Sequence, residues 1–563
     1  MIQEKLKKLI HDAMESAGIE PAKIELEHPT LIEHGDFSTN VALIHAVPTK
    51  TKPRDLAEKI LKYINENKPD FIEKVEIAGS GFINFFMSKK FFHDSVGEIL
   101  KQKEKFGQNK IGRGKTVIVE YSSPNIAKPF TVGHLRSTII GDAISNLLHF
   151  SGYHVIRDNH IGDWGTQFGK LIVAIKKWGS EEVLDKSGAP IKLLVDLYVK
   201  FHKEALSQPK LEDEARAWFA RLERKDEEAY RLWKKCVDLS MLEFGRIYER
   251  LGVKFDTIIP ESFFEDKMGD VLEDLKKKNL LKKSEGALLV FFPDSPAGGI
   301  HLPPLMIVKS DGATLYATRE LATDKYRKEK YKPDLIINEV GSEQSLYFKQ
   351  IFELEEMLSY FKKSKRAHVA HGLYRFKEGK MSTRKGNAIW LLDLINEGVR
   401  RAAKINEKTA ETVAIGAIKF NDLKRESIRE IVFDWDEVLN LKGDSGPYLQ
   451  YSFVRAQSVL ARAKELGIKI SAKNGESVIS ELEHIIYRFP EVVIKSTSEY
   501  APHHIATYLV DLARSFNAYY GEKKIVDPNH KEISEYHLAL TEAVAIVLKN
   551  GLDLLGIKLP EKM

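Results

Sequence analysis

Apolar residues at Ile2, Leu6, Leu9, Ile10 and Met14 recur at helical spacing among mixed acids and bases, which predicts an amphipathic first helix, neither signal peptide nor anchor. The run KVEIAGSGFINFFMS predicts strand, turn and strand, and KQKEKFGQNKIGRGK reads as a polar linker near residue 110. The pattern then changes. TVIVEYS, residues 116 to 122, is a continuous β-branched run of the kind that forms a buried parallel strand. A helical pattern follows from about Gly133 to Phe150, and YHVIRDNH supplies the next strand. Strand, loop, helix, strand is the half-unit of a doubly wound nucleotide-binding sheet, whose ligands sit at the carboxyl ends of the strands.

From about 170 to 250 the chain turns long, charged and helical, as an insertion would. Strand signals return at GALLVFFP, at PLMIVKSDGATLYAT, where Asp311-Gly312 predicts a hairpin turn, and at DLIINEV. Beyond about 410 the pattern is almost wholly helical. The expected fold is α/β: a Rossmann-type parallel-sheet domain over 111–410, split by the helical insertion. An α+β domain over 1–110 precedes it and an all-helical domain over 411–563 follows. With 563 residues the chain exceeds one core, in keeping with that division.

Composition narrows the class only a little. The chain is 43% hydrophobic and 30% charged, and no apolar run approaches membrane-spanning length. A net charge of +5 is too mild to identify a nucleic-acid binder, so local clustering must carry that reading. One cysteine, Cys236, excludes an internal disulfide or a multi-cysteine zinc site and fits a reducing compartment; it reads as a helix residue.

Two loops carry chemistry. In SSPNIAKPFTVGHLRST, Gly133 lets backbone approach a ligand, and a helix starting there aims free amides and its positive dipole end at an anion. His134 in the first turn is placed to donate to the same phosphate. A Gly-His pair alone is weak, since most such histidines cap or pack; its position between a buried strand and a helix strengthens it. The second loop, YRFKEGKMSTRKGNAI, sets Lys377, Lys380, Arg384 and Lys385 among glycines and hydroxyls. It reads either as a solvated turn or as a cationic flap over polyphosphate.

VGH with KMSTR resembles the two signatures of class I aminoacyl-tRNA synthetases. SSPNIAKPFTVGHLRSTIIGDA, NHIGDWGTQFGKLI, LYATRELA and FDWDEVLNLKGDSGPYLQYSFVRA are similar to the arginyl-tRNA synthetase family, with GDFSTNVAL and GFINFF extending the likeness toward the N-terminus. The resemblance implies activation of L-arginine with ATP and Mg2+ to arginyl-adenylate, then transfer to the terminal adenosine of its tRNA, usually with tRNA needed for the first step. It implies no tightly bound metal, a cytoplasmic location and, by default, a monomer. The carboxylate of the amino acid attacks the α-phosphorus in line, so positioning and charge stabilisation dominate.

Carried over residue by residue, the resemblance assigns His134, Lys128, Lys380 and Arg384 to catalysis, and Thr131, Gly133, His134, Met381, Ser382 and Lys385 to ATP. Glu120, Asn125, Tyr316, Glu320 and Gln344 are assigned to arginine, whose planar cationic fork is best met by carboxylates. Phe82, Asn84, Tyr448, Tyr451 and Arg455 are assigned to tRNA, by stacking and polar contact. Read without the family, Glu120 would be a strand-end charge in water, Tyr316 a core aromatic and Phe82 a buried sheet residue. The chain departs from the pattern at Thr131, where the first signature often begins with His, and at Thr383, where many class I enzymes carry lysine; Lys128 is the compensating charge. Two other functions stand beside this one: a nucleotidyltransferase with a similar Gly-His loop, and a catalytically inactive tRNA-binding paralogue.

Overall fold

The computed structural model describes residues 2–20, 24–293, 302–310, 312, 315–376, 389–473, 475 and 478–563, in two compact units. The first comprises Met1–Gln108, Tyr451–Val493 and Tyr508–Gly551. Its sheet holds β1 (Phe37–Thr39), β2 (Ile72–Ala78) and β3 (Phe82–Met87) in the antiparallel order β1-β3-β2, so the expected strand–turn–strand is present. Leu6, Ile10 and Met14 of the first helix, Ile2–Ser16, pack with Ile60, Ile64 and Phe85 in one core, as their spacing requires. Tyr487, from the helical part of the chain, joins that core. Histidine–carboxylate contacts lie around it: His28 Nε2 to Glu491 Oε2 at 2.8 Å, and His484 Nδ1 to Asp36 Oδ1 at 2.7 Å.

The second unit comprises Asn109–Gln450, Ile494–Thr507 and Leu552–Met563. Five strands form a fully parallel sheet: β4 (Thr116–Glu120), β5 (His154–Asn159), β6 (Thr257–Ile258), and later in the chain β10 (Leu335–Gly341) and β11 (Arg366–His371). Their order is β11-β10-β4-β5-β6. The chain runs outward from β4 to β6 on one side and resumes at β10 on the other. The strand order therefore reverses between β4 and β10, which is where a crevice opens at the carboxyl ends of such a sheet.

Between β5 and β6 lie the insertion helices, ending in Glu227–Leu251. Asp226 caps that helix through its side chain, and Gly252, in the left-handed region at φ 69°, ends it. Cys236 sits buried on it, where burial pushes the thiol up to about 12.

One expectation fails locally. The segment after β6 builds a separate antiparallel sheet of β7 (Leu281–Ser284), β8 (Ala287–Val290) and β9 (Leu305–Val308), so GALLVFFP and PLMIV do not extend the parallel one. Asp311, half of the expected turn, lies outside the described residues; YATRELA is the start of the helix Tyr316–Tyr331, whose Leu321 and Ala322 share a core with Ile118 and Ile336 of the main sheet. The helical tail also contains one strand, β13 (Ile431–Phe433), parallel to β12 (Tyr374–Phe376).

Candidate active site

A cleft of about 770 Å³ opens at the reversal between β4 and β10. It is lined by all the described residues expected to meet ATP or arginine: Glu120, Asn125, Lys128, Thr131, Gly133, His134, Tyr316, Glu320 and Gln344. Lys380, Met381, Ser382, Arg384 and Lys385 lie outside the described residues. The chain just after that segment is anchored beside the first loop: Val132 N–H donates to Ile389 O at 3.2 Å, and Leu391 N–H to Phe130 O at 2.9 Å.

The loop following β4 is strained and held. Ser122, Ser123 and Ala127 all adopt positive φ, at 71°, 41° and 57°, a region that L-residues occupy only when the surroundings over-determine them. Those surroundings are hydrogen bonds from three distant elements. Ser122 N–H donates to Ser137 Oγ at 2.8 Å, Ser123 N–H to Asn159 Oδ1 at 3.2 Å, and Ala127 N–H to Ser240 Oγ of the last insertion helix at 3.0 Å. Gly162 closes the other side: a Cβ there would stand 2.5 Å from Asn125 Oδ1. The loop NHIGDWG thereby lies flat on SSPNIA, with Ile126 N–H donating to Gly162 O at 2.9 Å.

Thr131 is the cap of the site helix, Val132–Phe150, and His134 answers it: Thr131 N–H donates to His134 Nδ1 at 3.0 Å. An accepting Nδ1 places the proton of the neutral ring on Nε2. Burial, then the charges of Lys128 and His371, lower His134 to about 4, so it is a neutral donor at physiological pH. Lys128 is exposed at the rim of the cleft and makes no hydrogen bond or ion pair with any described residue. A Cβ on Gly133 would meet only Thr131 Oγ1 at 3.5 Å, so the space above it is open.

The floor of the cleft is an ion network. Arg327, fully buried, pairs with Glu120 Oε2 at 2.6 Å, with Asp158, and with Asp324 Oδ1 at 3.0 Å. Arg366 pairs with Asp324 Oδ2 at 2.9 Å and Glu355 Oε1 at 3.2 Å. Glu120 is thus neither a solvated strand end nor a free acceptor: it is 5% exposed, and Asn338 Nδ2 also donates to it at 3.1 Å. Glu320, one helical turn before Asp324, bonds to nothing through Oε1, which is sealed from solvent. Two guanidiniums serve the five carboxyls of Glu120, Asp158, Glu320, Asp324 and Glu355. Burial first, then the Glu120 and Asp324 charges, hold Glu320 well above the usual carboxylate range. Carboxyls outnumber the cations of the floor.

Tyr316, at the start of the same helix, is 65% exposed and so is no core aromatic. Several cleft residues escaped sequence reasoning, among them Tyr347, Glu261, Glu339 and His371. Tyr347 aims a buried hydroxyl without a partner, Glu261 pairs with Arg319 Nη1 at 3.2 Å, and Glu339 meets His371 Nδ1 at 2.8 Å. Only a correct pairing of β10 and β11 with β4 would have brought the last two forward; the PES turn was the one available signal for Glu261.

The residues assigned to RNA lie elsewhere. Phe82 is 42% exposed, whereas Asn84 is buried on β3 with Oδ1 accepting from Ser38 Oγ at 2.7 Å. Tyr451 and Arg455 share the helix Gly446–Glu465 with half-buried Tyr448. The Arg455 guanidinium lies 4.8 Å from the ring centroids of both Tyr451 and Tyr520, the second of which sequence reasoning missed.

Comparison with known proteins follows this geometry closely. Residues 95–435 match the family described as tRNA synthetases class I (R), catalytic domain; residues 449–563 match the DALR anticodon binding domain, and residues 2–87 the arginyl tRNA synthetase N terminal domain. The chain is 40% identical over 575 positions to the arginine–tRNA ligase of Halothermothrix orenii, covering 100% of this chain and 99% of that one. It is 41% identical over 578 positions to that of Clostridium perfringens, covering 99% and 100%. Among solved structures it is similar to the arginyl-tRNA synthetase of Plasmodium falciparum (TM-score 0.84, 26% identity, covering 100% and 99%) and that of Thermus thermophilus (TM-score 0.81, 25% identity, covering 100% of each).

Proposed function

Because this chain belongs to the arginyl-tRNA synthetases of class I, enzymes that charge tRNA with arginine at the expense of ATP, we propose that the cleft between β4 and β10 is where both half-reactions occur. The observation that carries this reading is the cation deficit of the floor: Glu320 Oε1 and Tyr347 OH are buried without partners at the place a guanidinium would enter. The arginine side chain lies against Glu320, with Tyr316 and Gln344 beside it. Glu120 acts mainly by fixing Arg327.

The triphosphate of Mg-ATP extends over the N-terminus of the site helix toward His134 and Lys128. The arginine carboxylate attacks the α-phosphorus and pyrophosphate leaves; a ribose hydroxyl of the terminal adenosine then attacks the arginyl carbonyl, and AMP leaves. Nothing in this sequence needs a protein nucleophile. His134 Nε2–H and the Lys128 ammonium stabilise charge on phosphate oxygens, while the pinned loop 122–127 holds Asn125 in place. Phe82 and the stacked group Tyr451, Arg455 and Tyr520 offer exposed rings and a cation to unstacked tRNA bases. We read the enzyme as cytoplasmic and monomeric; among the described residues no helix is long and apolar enough to cross a membrane.

Exchange of labelled pyrophosphate into ATP tests the reading. It is expected to require arginine and to be stimulated by tRNA; absence of arginine-dependent exchange in the presence of tRNA would leave only an RNA-binding role.

A second expected result concerns protons. Burial and the neighbouring Glu120 and Asp324 charges hold Glu320 well above the usual carboxylate range, and a guanidinium against it favours the ionised form. Arginine binding is therefore expected to release protons, and affinity to fall as pH is lowered, because the group must then be deprotonated at greater cost. Titration calorimetry in two buffers of different ionisation enthalpy reads this directly. Identical heats in both would remove Glu320 from the guanidinium site.

A further inference from the structure

His371, the last residue of β11, belongs to none of the roles assigned above. It lines the cleft, and its ring is committed on one side only: Nδ1 meets Glu339 Oε1 at 2.8 Å, while Nε2 bonds to no described residue. Glu339 cannot move away from it, being buried in the middle of β10 between two paired strands. Ser137 Oγ donates to Glu339 O at 2.9 Å, and Arg136 Nη1 donates to the carbonyl of Gly372 at 2.7 Å, so the backbone on both sides of the pair is fixed. The ring is therefore held in one orientation, with Nε2 left over in a residue that lines the cleft.

The charges around it decide its state. Glu339 on β10 and Asp422 on the helix Ala410–Leu423 favour the imidazolium; Arg136, on the site helix, opposes it, and burial opposes it too. His134 and His368 also face it, each being lowered in part by the charge of His371. Burial alone would lower His371, but the Glu339 carboxylate outweighs it and the net shift is upward. The cleft thus presents a neutral imidazole at His134 and, at His371, one whose charged form Glu339 favours, near enough for the second to act on the first.

We propose that His371 is an ATP-binding residue of the activation reaction, donating Nε2–H to the anionic nucleotide. This rests on the synthetase reading of the cleft. A ring held by Glu339 on one side, with its other nitrogen bonded to no described residue, fits a phosphate oxygen as a donor better than it fits a guanidinium, which offers donors only. Its ligand is thereby assigned by hydrogen-bonding character: the guanidinium goes to Glu320 and the polyphosphate to His371.

The test follows the ATP KM in pyrophosphate exchange between about pH 6 and 9, a window that brackets imidazole titration. In the parent enzyme the ATP KM is expected to rise with pH, because the raised imidazolium is present at the low end and lost as pH climbs. His371→Gln is expected to raise the ATP KM about tenfold at the low end, the loss of one charge-assisted hydrogen bond, and to abolish that component of the pH dependence. The arginine KM stays at its parental value. Glu339→Gln, which leaves the imidazole in place but removes its counter-charge, moves the parental rise to lower pH. If His371→Gln retains both the parental ATP KM and its pH profile, or if Glu339→Gln leaves the midpoint where it was, the proposal is overturned. A parent enzyme without arginine-dependent exchange refutes the synthetase reading instead, and is seen before any variant is made.

Discussion

Replacing Glu320 with glutamine is expected to raise the arginine KM by at least about a hundredfold while leaving the ATP KM nearly unchanged. Removing one partner of a buried charge pair costs about 3–5 kcal/mol, and a hundredfold corresponds to about 2.7 kcal/mol. The fold itself should not suffer. Burial and then Glu120 and Asp324 disfavour the charged form of the Glu320 carboxyl, so the neutral amide of Gln removes a charge that the floor already opposes. Thermal melting of Glu320→Gln is accordingly expected to equal or exceed the parent's. Glu120→Gln makes the opposite pattern: its Oε2 holds Arg327 at 2.6 Å, so its loss destabilises the floor first and affects arginine through that floor. A Glu320→Gln enzyme with parental arginine kinetics would show that the guanidinium is met elsewhere in the cleft.

The second large effect belongs to His134. Its alanine variant is expected to lose about 10²–10³ in turnover for adenylate formation, the magnitude of one lost oxyanion donor, with arginine affinity hardly altered. The structure adds a constraint on pH. With its titration displaced to about 4, His134 remains a neutral donor throughout the ordinary working range. An acid-side fall in kcat with a midpoint between about 6 and 7, the ordinary imidazole range, must then persist in His134→Ala rather than disappear. Single-turnover adenylate formation measures both. A folded variant with unchanged turnover would take the residue out of the reaction, and loss of the acid limb would mean that its proton sits where the capping bond from Thr131 forbids.

Much of this molecule can be read in its sequence because local rules and tertiary context agree there. TVIV is β-branched, and Val117, Ile118 and Val119 are buried in β4; the helix beginning at Val132 is the next helix after that strand and its loop; the helical spacing of Leu6, Ile10 and Met14 matches the buried face of the first helix. The motif match also named most of the cleft lining, because those side chains stand in short segments whose spacing is kept in the chain itself.

What the sequence could not convey is of three physical kinds. YATRELA follows a run of strand-like residues, but Leu321 and Ala322 bury themselves with Ile118 and Ile336, so it is helix. Glu120 and Glu320 look alike as acidic residues in matching motifs, yet only folding brings Arg327 to one and leaves the other sealed without a partner. Charge pairing across some two hundred residues has no local signature. His371 and Glu339 likewise become a pair only when β11 settles beside β10 in register.

The loop after β4 joins the two halves of that division. Its residues, SSPNIAK, are determined by sequence and announce a ligand loop. Its shape is not, since Ser122, Ser123 and Ala127 occupy backbone regions that none would choose alone, and they are kept there by Ser137, Asn159 and Ser240. Sequence by itself determined which groups this protein brings to the reaction. Tertiary structure decided their conformation, charge and partners, because strain and desolvation are tolerated only where distant segments hold them in place.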